Sequence, residues 1–188
     1  MLHERKGIMQ FAKVVAIALI PILMALNGYT EEDVNILADV MWLENGHTGK
    51  NEEENRQVLI LTGAVVMNRT KSDSTDYHPK GKNSIRDVVY HKGQYCSKTR
   101  NGVGNTNTPD YVRDLAKELL AYGSNVPEYI LYQSQNSRLG TIWKKIAGEY
   151  FATERGHKDE GYNFVAKTNL DLCIDRWDAL NDFRNAYN

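Results

Sequence analysis

The sequence has no polybasic tract and no excess of either charge: 23 lysines and arginines face 24 aspartates and glutamates, for a formal net charge of −1. Strong binding to a phosphate backbone needs clustered cations, so the chain is not read as a nucleic-acid binder. Proline is scarce, with 4 residues, while 11 tyrosines and 3 tryptophans are enough to build a core, which excludes disordered and collagen-like classes. Cysteine is limited to Cys96 and Cys173, there is no C-x-x-C, and none of the 5 histidines forms an H-x-x-x-H pair. No zinc site, and no metal or organic cofactor, is implied. A nucleotide has no phosphate loop to bind, because Asn101–Asn105 (NGVGN) precedes no helix with a Lys-Ser/Thr signature.

What is present fits one globular domain behind a distinct N-terminal segment. The 188 residues fall in the range of roughly 100–200 expected for a single domain with its own core. Residues 1–28 read differently from residues 29–188. Arg5, Lys6 and Lys13 oppose a single Glu4, and Val14 to Leu26 follows as 13 apolar residues containing Pro21. That run is short of the roughly 20 residues that cross a bilayer as a helix, so it reads as a secretory signal or, uncleaved, as a membrane tether. The alternative is a buried N-terminal helix of the domain. Export agrees with a disulfide between Cys96 and Cys173 in an oxidising compartment; two lone buried thiols are the other reading.

From Tyr29 onward the pattern is mostly helical. Thr30 before Glu31-Glu32-Asp33 opens a helix with a capping-box-like start, and Val34, Leu37, Ala38 and Met41 follow at helical spacing until Asn45-Gly46. A second helix is predicted from about Glu53 to Arg69, apolar on nearly every face, with Gly63 and Ala64 leaving room for a close neighbour. Ser84 to Tyr90 reads as a short capped helix, and Thr108-Pro109-Asp110 opens another with proline at its first position, ending at Gly123. Residues 71–83 and 97–107 read as polar loops, either rims of a groove or solvated connections. Residues 129–132 and 161–165 read as strands of a small sheet, and an amphipathic helix through Ile174, Trp177, Leu180, Phe183 and Tyr187 closes the chain.

One carboxylate stands apart. Glu44 follows Leu37, Val40 and Met41 at spacings of seven, four and three residues, which on a helix places it on their inward stripe. A carboxyl on such a stripe is partly desolvated, the environment in which an acid keeps a proton for general acid catalysis. The plain alternative is a helix-end glutamate turned to water beside Gly46.

Three segments then point in one direction. Ala38 to Gly46 (ADVMWLENG), Gln57 to Thr70 (QVLILTGAVVMNRT) and Ile85 to Ser97 (IRDVVYHKGQYCS) occur in this order. Together they resemble the SleB/CwlJ type of cell-wall hydrolase, which shows a VxYxEARGE segment, an apolar helix ending in LNR and a VVYxPGQFS segment at similar spacing. The likeness covers roughly residues 32–166. Glu44 takes the place of the catalytic glutamate, and Gln94 and Tyr95 fall in the third segment. The chain departs from the family where ARGE becomes Asn45-Gly46-His47-Thr48. It departs again where the family's Gly-x-His-x-Phe segment is met by Gly161-Tyr162-Asn163-Phe164, with Tyr162 or a shifted His157 in place of the histidine.

The resemblance implies an α+β, mostly helical, lysozyme-like (lytic transglycosylase-like) single domain with a small β-sheet. It would act as a monomer, secreted or associated with the cell envelope, on peptidoglycan glycan strands. The implied reaction is cleavage between N-acetylmuramic acid and N-acetylglucosamine by a lytic transglycosylase with Glu44 as its single catalytic acid. Gln94 is the candidate for binding an N-acetyl group, and Tyr95, Tyr132 and Tyr162 for contacting sugar rings; a solvated loop glutamine and core tyrosines are the alternatives. A muramidase that uses water, or a non-catalytic glycan-binding module, are the competing readings. A hydrolase ordinarily needs a second carboxylate, and Glu52 to Glu54 and Asp87 sit where caps and solvated faces usually do.

Overall fold

The computed structural model describes residues 2–136, 140–153 and 164–176, with side chains described from Lys13 onward. Six helices precede a small sheet: α1 (Leu2–Leu26), α2 (Glu31–Asn45), α3 (Glu52–Lys71), α4 (Ile85–Tyr90), α5 (Ser97–Gly102) and α6 (Asp110–Tyr122). Strands β1 (Ile130–Ser134), β2 (Thr141–Ile146) and β3 (Glu149–Thr153) follow, antiparallel in the order β1-β3-β2, and residues 169–176 form a further helical stretch. The fold class is α+β.

Helix α3 is the centre. Its N-cap Asn51 accepts from the Glu54 N–H, and Glu52, Glu53 and Glu54 place acids where the helix dipole favours them. From Val58 to Thr70 every residue is buried. A helix apolar on all sides has to be covered on all sides, and α2, α4, α6 and β1 supply the cover. Gly63 permits the closest approach: a Cβ there would stand 2.7 Å from Leu119 Cδ1 and 3.0 Å from Met41 Sδ, so α2 and α6 meet α3 at this turn.

Several polar groups inside the core tie its elements together. Asn45 donates to the Thr62 hydroxyl at 2.8 Å, which donates to the Val58 carbonyl at 2.8 Å. At the far end of α3, the Asn68 amide donates to the Pro127 and Ile130 carbonyls and Arg69 Nε donates to the Leu131 carbonyl at 2.8 Å. The C-terminal turn of α3 therefore grips the start of β1 and fixes where the sheet stands relative to the helices. Arg56, near its first turn, pairs with Asp171 at 2.9 Å and Glu118 at 3.3 Å and ties the 169–176 helix to α3 and α6.

Several elements differ from the sequence expectation. Residues 97–107 contain α5 rather than being wholly loop. Pro109 is the N-cap of α6, with helix starting one residue later. Residues 164–167 carry no strand; the sheet is completed instead by the hairpin β2–β3, whose Lys144-Lys145 and Glu149 broke the apolar pattern that marks strands. Residues 161–163 and the last helix beyond 176 lie outside the described residues.

Helix α1 packs against α6 through Ile20 and Met24, with the Tyr122 hydroxyl donating to the Ala16 carbonyl at 2.6 Å. Its other faces leave Val14, Ile17, Ile22 and Leu26 more than half exposed. The segment is thus only partly the buried helix that was the alternative to a signal or tether. Among the described residues no single helix is long and apolar enough to cross a membrane.

Leu37 is fully buried between α2 and its neighbours. Leu37→Ala is expected to lower unfolding free energy by roughly 2–5 kcal/mol, the range for a large-to-small core truncation, with the shift read as a lower midpoint in urea at unchanged slope.

Candidate active site

Glu44 occupies the last turn of α2. Leu37, Val40 and Met41 are fully buried on the same stripe, and Glu44, one turn on, is half-buried where that stripe meets the surface. Its Oε1 accepts a hydrogen bond from the hydroxyl of Thr99, a buried residue of α5.

The reason Thr99 stands there lies further back on α2. Asp39 is buried, and its two carboxylate oxygens accept from the Gly104 N–H at 2.8 Å and the Thr108 hydroxyl at 2.5 Å. Arg113 of α6 approaches the same carboxylate at 3.8 Å. Charge-assisted bonds of this kind are the strong ones, and they pin the polar segment that follows α5 onto α2. Gly102 lets it lie close, since a Cβ there would come within 2.8 Å of Leu43. Residues 97–107 are therefore neither solvated connection nor mere rim: their helical turn supplies a partner to Glu44. Asp39 was not singled out from the sequence; its signal was an acid at a helix position flanked by Ala38 and Val40, both apolar.

The other candidates are distributed unequally. Gln94 Nε2 donates to the Asp76 carbonyl at 2.6 Å, so this amide nitrogen braces two loops together. Tyr95 is buried, 7% exposed, and presents no open face for a sugar ring. Its ring lies 5.4 Å from the Arg69 guanidinium, which also meets the Tyr77 ring at 5.7 Å. Tyr77 meets Tyr132 edge-on at 6.1 Å. Tyr132, Tyr77, Arg69 and Tyr95 thus form one continuous layer. Burial pushes the Tyr95 hydroxyl above its ordinary range, with Arg69 pulling it down and the charge of Glu44 pushing it up. Tyr162 and His157 lie outside the described residues.

Arg69 Nη1 and Tyr95 Oη are buried without a hydrogen-bond partner, as is Gln133 Oε1 on β1. Buried polar atoms are ordinarily satisfied, and here two unmet ones belong to this layer.

The sequence reading also missed a buried carboxyl on the sheet. Glu149, the first residue of β3, is 4% exposed. Burial raises its carboxyl above the usual carboxylate range; a hydrogen bond with Gln135 opposes the shift, and the nearby charge of Glu44 adds to it. Its place after Ala147-Gly148 gave no helical or strand pattern from which to read an inward-facing acid. Glu52, Glu53 and Glu54 are helix-capping acids of α3, and Asp87 closes the capping box of α4 with Ser84.

Cys96 and Cys173 are free and exposed, neither paired nor buried as the two sequence readings had them. Cys96 Sγ lies 3.3 Å from Thr99 Oγ1, and this hydrogen bond together with those of the Thr99 and Lys98 backbone N–H groups holds its thiol below the ordinary range. Among the described residues no three histidine, cysteine or acidic side chains are grouped to hold a metal ion. A cavity of about 610 Å3 lined by Tyr29, Asn68, Lys71, Tyr122 and Glu128 opens near the junction of α1 and α2; Glu44 does not line it.

The chain matches no family model, no curated protein and no solved structure. The three quoted segments and the geometry around Glu44 are what bear on function.

Because the folded environment raises Glu149 above its value of about 4.3 in an unfolded chain, its contribution to stability is complete at pH below that value and is lost as pH rises through the folded one. Urea melts of wild type and Glu149→Gln across pH are expected to agree at low pH and to separate, with the glutamine variant the more stable, as pH rises; parallel curves would show that the carboxyl is not disfavoured in the fold.

Proposed function

We propose that this protein cleaves peptidoglycan glycan strands between N-acetylmuramic acid and N-acetylglucosamine, on a lysozyme-like scaffold, with Glu44 as proton donor. The observation that carries the reading is Glu44 itself: a half-buried carboxyl at the end of a core helix, with one oxygen held by Thr99. The three segments similar to the SleB/CwlJ type supply the substrate class.

The chemistry follows from the positions. Glu44 delivers its proton to the glycosidic oxygen as the C1–O bond breaks, and an oxocarbenium-like centre develops on the muramic ring. Thr99, donating to Oε1, then stabilises the carboxylate that remains. That carboxylate alone can take the proton of the muramic 6-hydroxyl while its oxygen closes on C1, which is lytic transglycosylation and restores the acid. Hydrolysis by water is the second reading, and it ordinarily needs a second carboxylate.

Partner and place follow from the substrate. Peptidoglycan lies outside the cytoplasmic membrane, and the exposed apolar side of α1 supports a signal or tether that takes the domain there.

Glu44→Gln preserves shape and removes the acid. It is expected to reduce cleavage of purified peptidoglycan by at least about a hundredfold, the lower bound usual for general acid catalysis, with an unchanged melting temperature and retained glycan binding. Zymography on purified cell walls checks it: lysis by the variant at the wild-type rate removes Glu44 from the mechanism, while absence of lysis by both proteins with glycan binding intact makes the domain a binding module.

A further inference from the structure

We infer that the cavity between the first turns of α3 and α6 is a sugar-binding subsite, with the ring of Tyr111 as its platform. The inference deepens the proposed function and rests on it for the kind of glycan bound.

The platform is the first argument. Tyr111 is the second residue of α6 and is 52% exposed. Its position is nonetheless fixed from two directions. Trp42 of α2 meets it edge-on at 6.4 Å, and Trp42 is itself met edge-on by His47 at 4.1 Å. The Asn55 amide donates to the Tyr111 hydroxyl at 3.4 Å. Two glycines make this arrangement possible. A Cβ on Gly46 would stand 2.1 Å from Trp42 Cε3, and one on Gly49 would stand 2.3 Å from the Asn55 backbone nitrogen. The loop between α2 and α3 therefore gives room to the indole and lies close on the turn that carries Asn55. A ring ordered before its ligand arrives spares part of the entropy cost of binding. Aromatic rings with a polar tip suit ligands that are apolar on one face and hydrogen-bonding at the edge.

The lining is the second. The cavity has a volume of about 410 Å3 and is lined by Glu52, Asn55, Arg56, Tyr111 and Leu115, a size within the roughly 300–1,000 Å3 of small-molecule sites. Leu115 is buried and apolar. The carboxylate, carboxamide and guanidinium beside it are planar groups that present acceptors or donors in pairs, which is the geometry that meets neighbouring hydroxyls on a pyranose. Charge narrows the ligand further. Arg56 is already held by Asp171 at 2.9 Å and Glu118 at 3.3 Å, and Glu52 adds another acid, so an anion finds no spare cation here. Among the described residues no three histidine, cysteine or acidic side chains are grouped to hold a metal ion. Neither kind of ion would use Tyr111 and Leu115. A neutral ligand with hydroxyls at its edge and C–H bonds on its face uses all five side chains.

Place is the third. Trp42 and Glu44 lie two residues apart on α2, so their side chains project about 200° apart around it. The subsite therefore lies across the end of α2 from Thr99, a separation on the scale of the roughly 10–12 Å diameter of a helix with its side chains. A single sugar cannot span the two; a glycan strand can. The subsite holds the strand while Glu44 acts, without touching the bond that breaks.

The test is calorimetric titration of the full chain carrying Glu44→Gln, which leaves strands uncut, with soluble glycan strands prepared from purified peptidoglycan and freed of their stem peptides. Adding Tyr111→Ala or Tyr111→Leu is expected to weaken binding about tenfold, with melting temperatures unchanged because the ring lies outside the core. Adding Tyr111→Phe keeps the ring and is expected to keep the affinity. Undiminished binding by the folded alanine and leucine variants, or an equal loss in Tyr111→Phe, overturns the platform while leaving glycan binding standing. No binding by Glu44→Gln overturns the subsite, and absence of wild-type lysis in the zymogram with it overturns the glycan reading as well.

Discussion

The structure depends on the burial of α3 on every side. A helix that shows apolar residues around its whole circumference has no face to give to water, so each neighbouring element is placed by the need to cover it. The hydrophobic effect sets that requirement without direction; direction comes from the few polar groups that α3 carries inward. Thr62 receives Asn45 at the end of α2, and Asn68 and Arg69 reach the carbonyls of β1 and the turn before it. The end of α2 and the sheet are thus held by the middle and the C-terminal turn of one helix. Because an unmet buried polar group costs about 1–3 kcal/mol, these bonds fix orientation more strongly than contact area alone.

Asp39 does for the rim of the site what α3 does for its base. A buried carboxylate bonded to Gly104 and Thr108 draws a glycine- and asparagine-rich segment onto α2 and leaves Thr99 facing Glu44. Loss of that anchor would release the segment without altering Glu44 itself. The site is therefore built in three layers: α3 positions α2 and the sheet, Asp39 positions α5, and only then does Thr99 meet Glu44.

How much of this was legible in the sequence follows from what each feature depends on. Helices α2, α3, α4 and α6 announced themselves through caps and periodicity, both local properties, and Glu44 was visible because a helix repeats its faces in sequence. The three quoted segments are also local strings. Strands β2 and β3 were not visible: Lys144 is buried by donating to a carbonyl twenty residues away, and Glu149 by a hairpin register, so each reads as a solvated charge until its partner is known. Tyr95 shows the converse. Tyrosines are equally suited to sugar and to core, and the guanidinium of Arg69 decides for core.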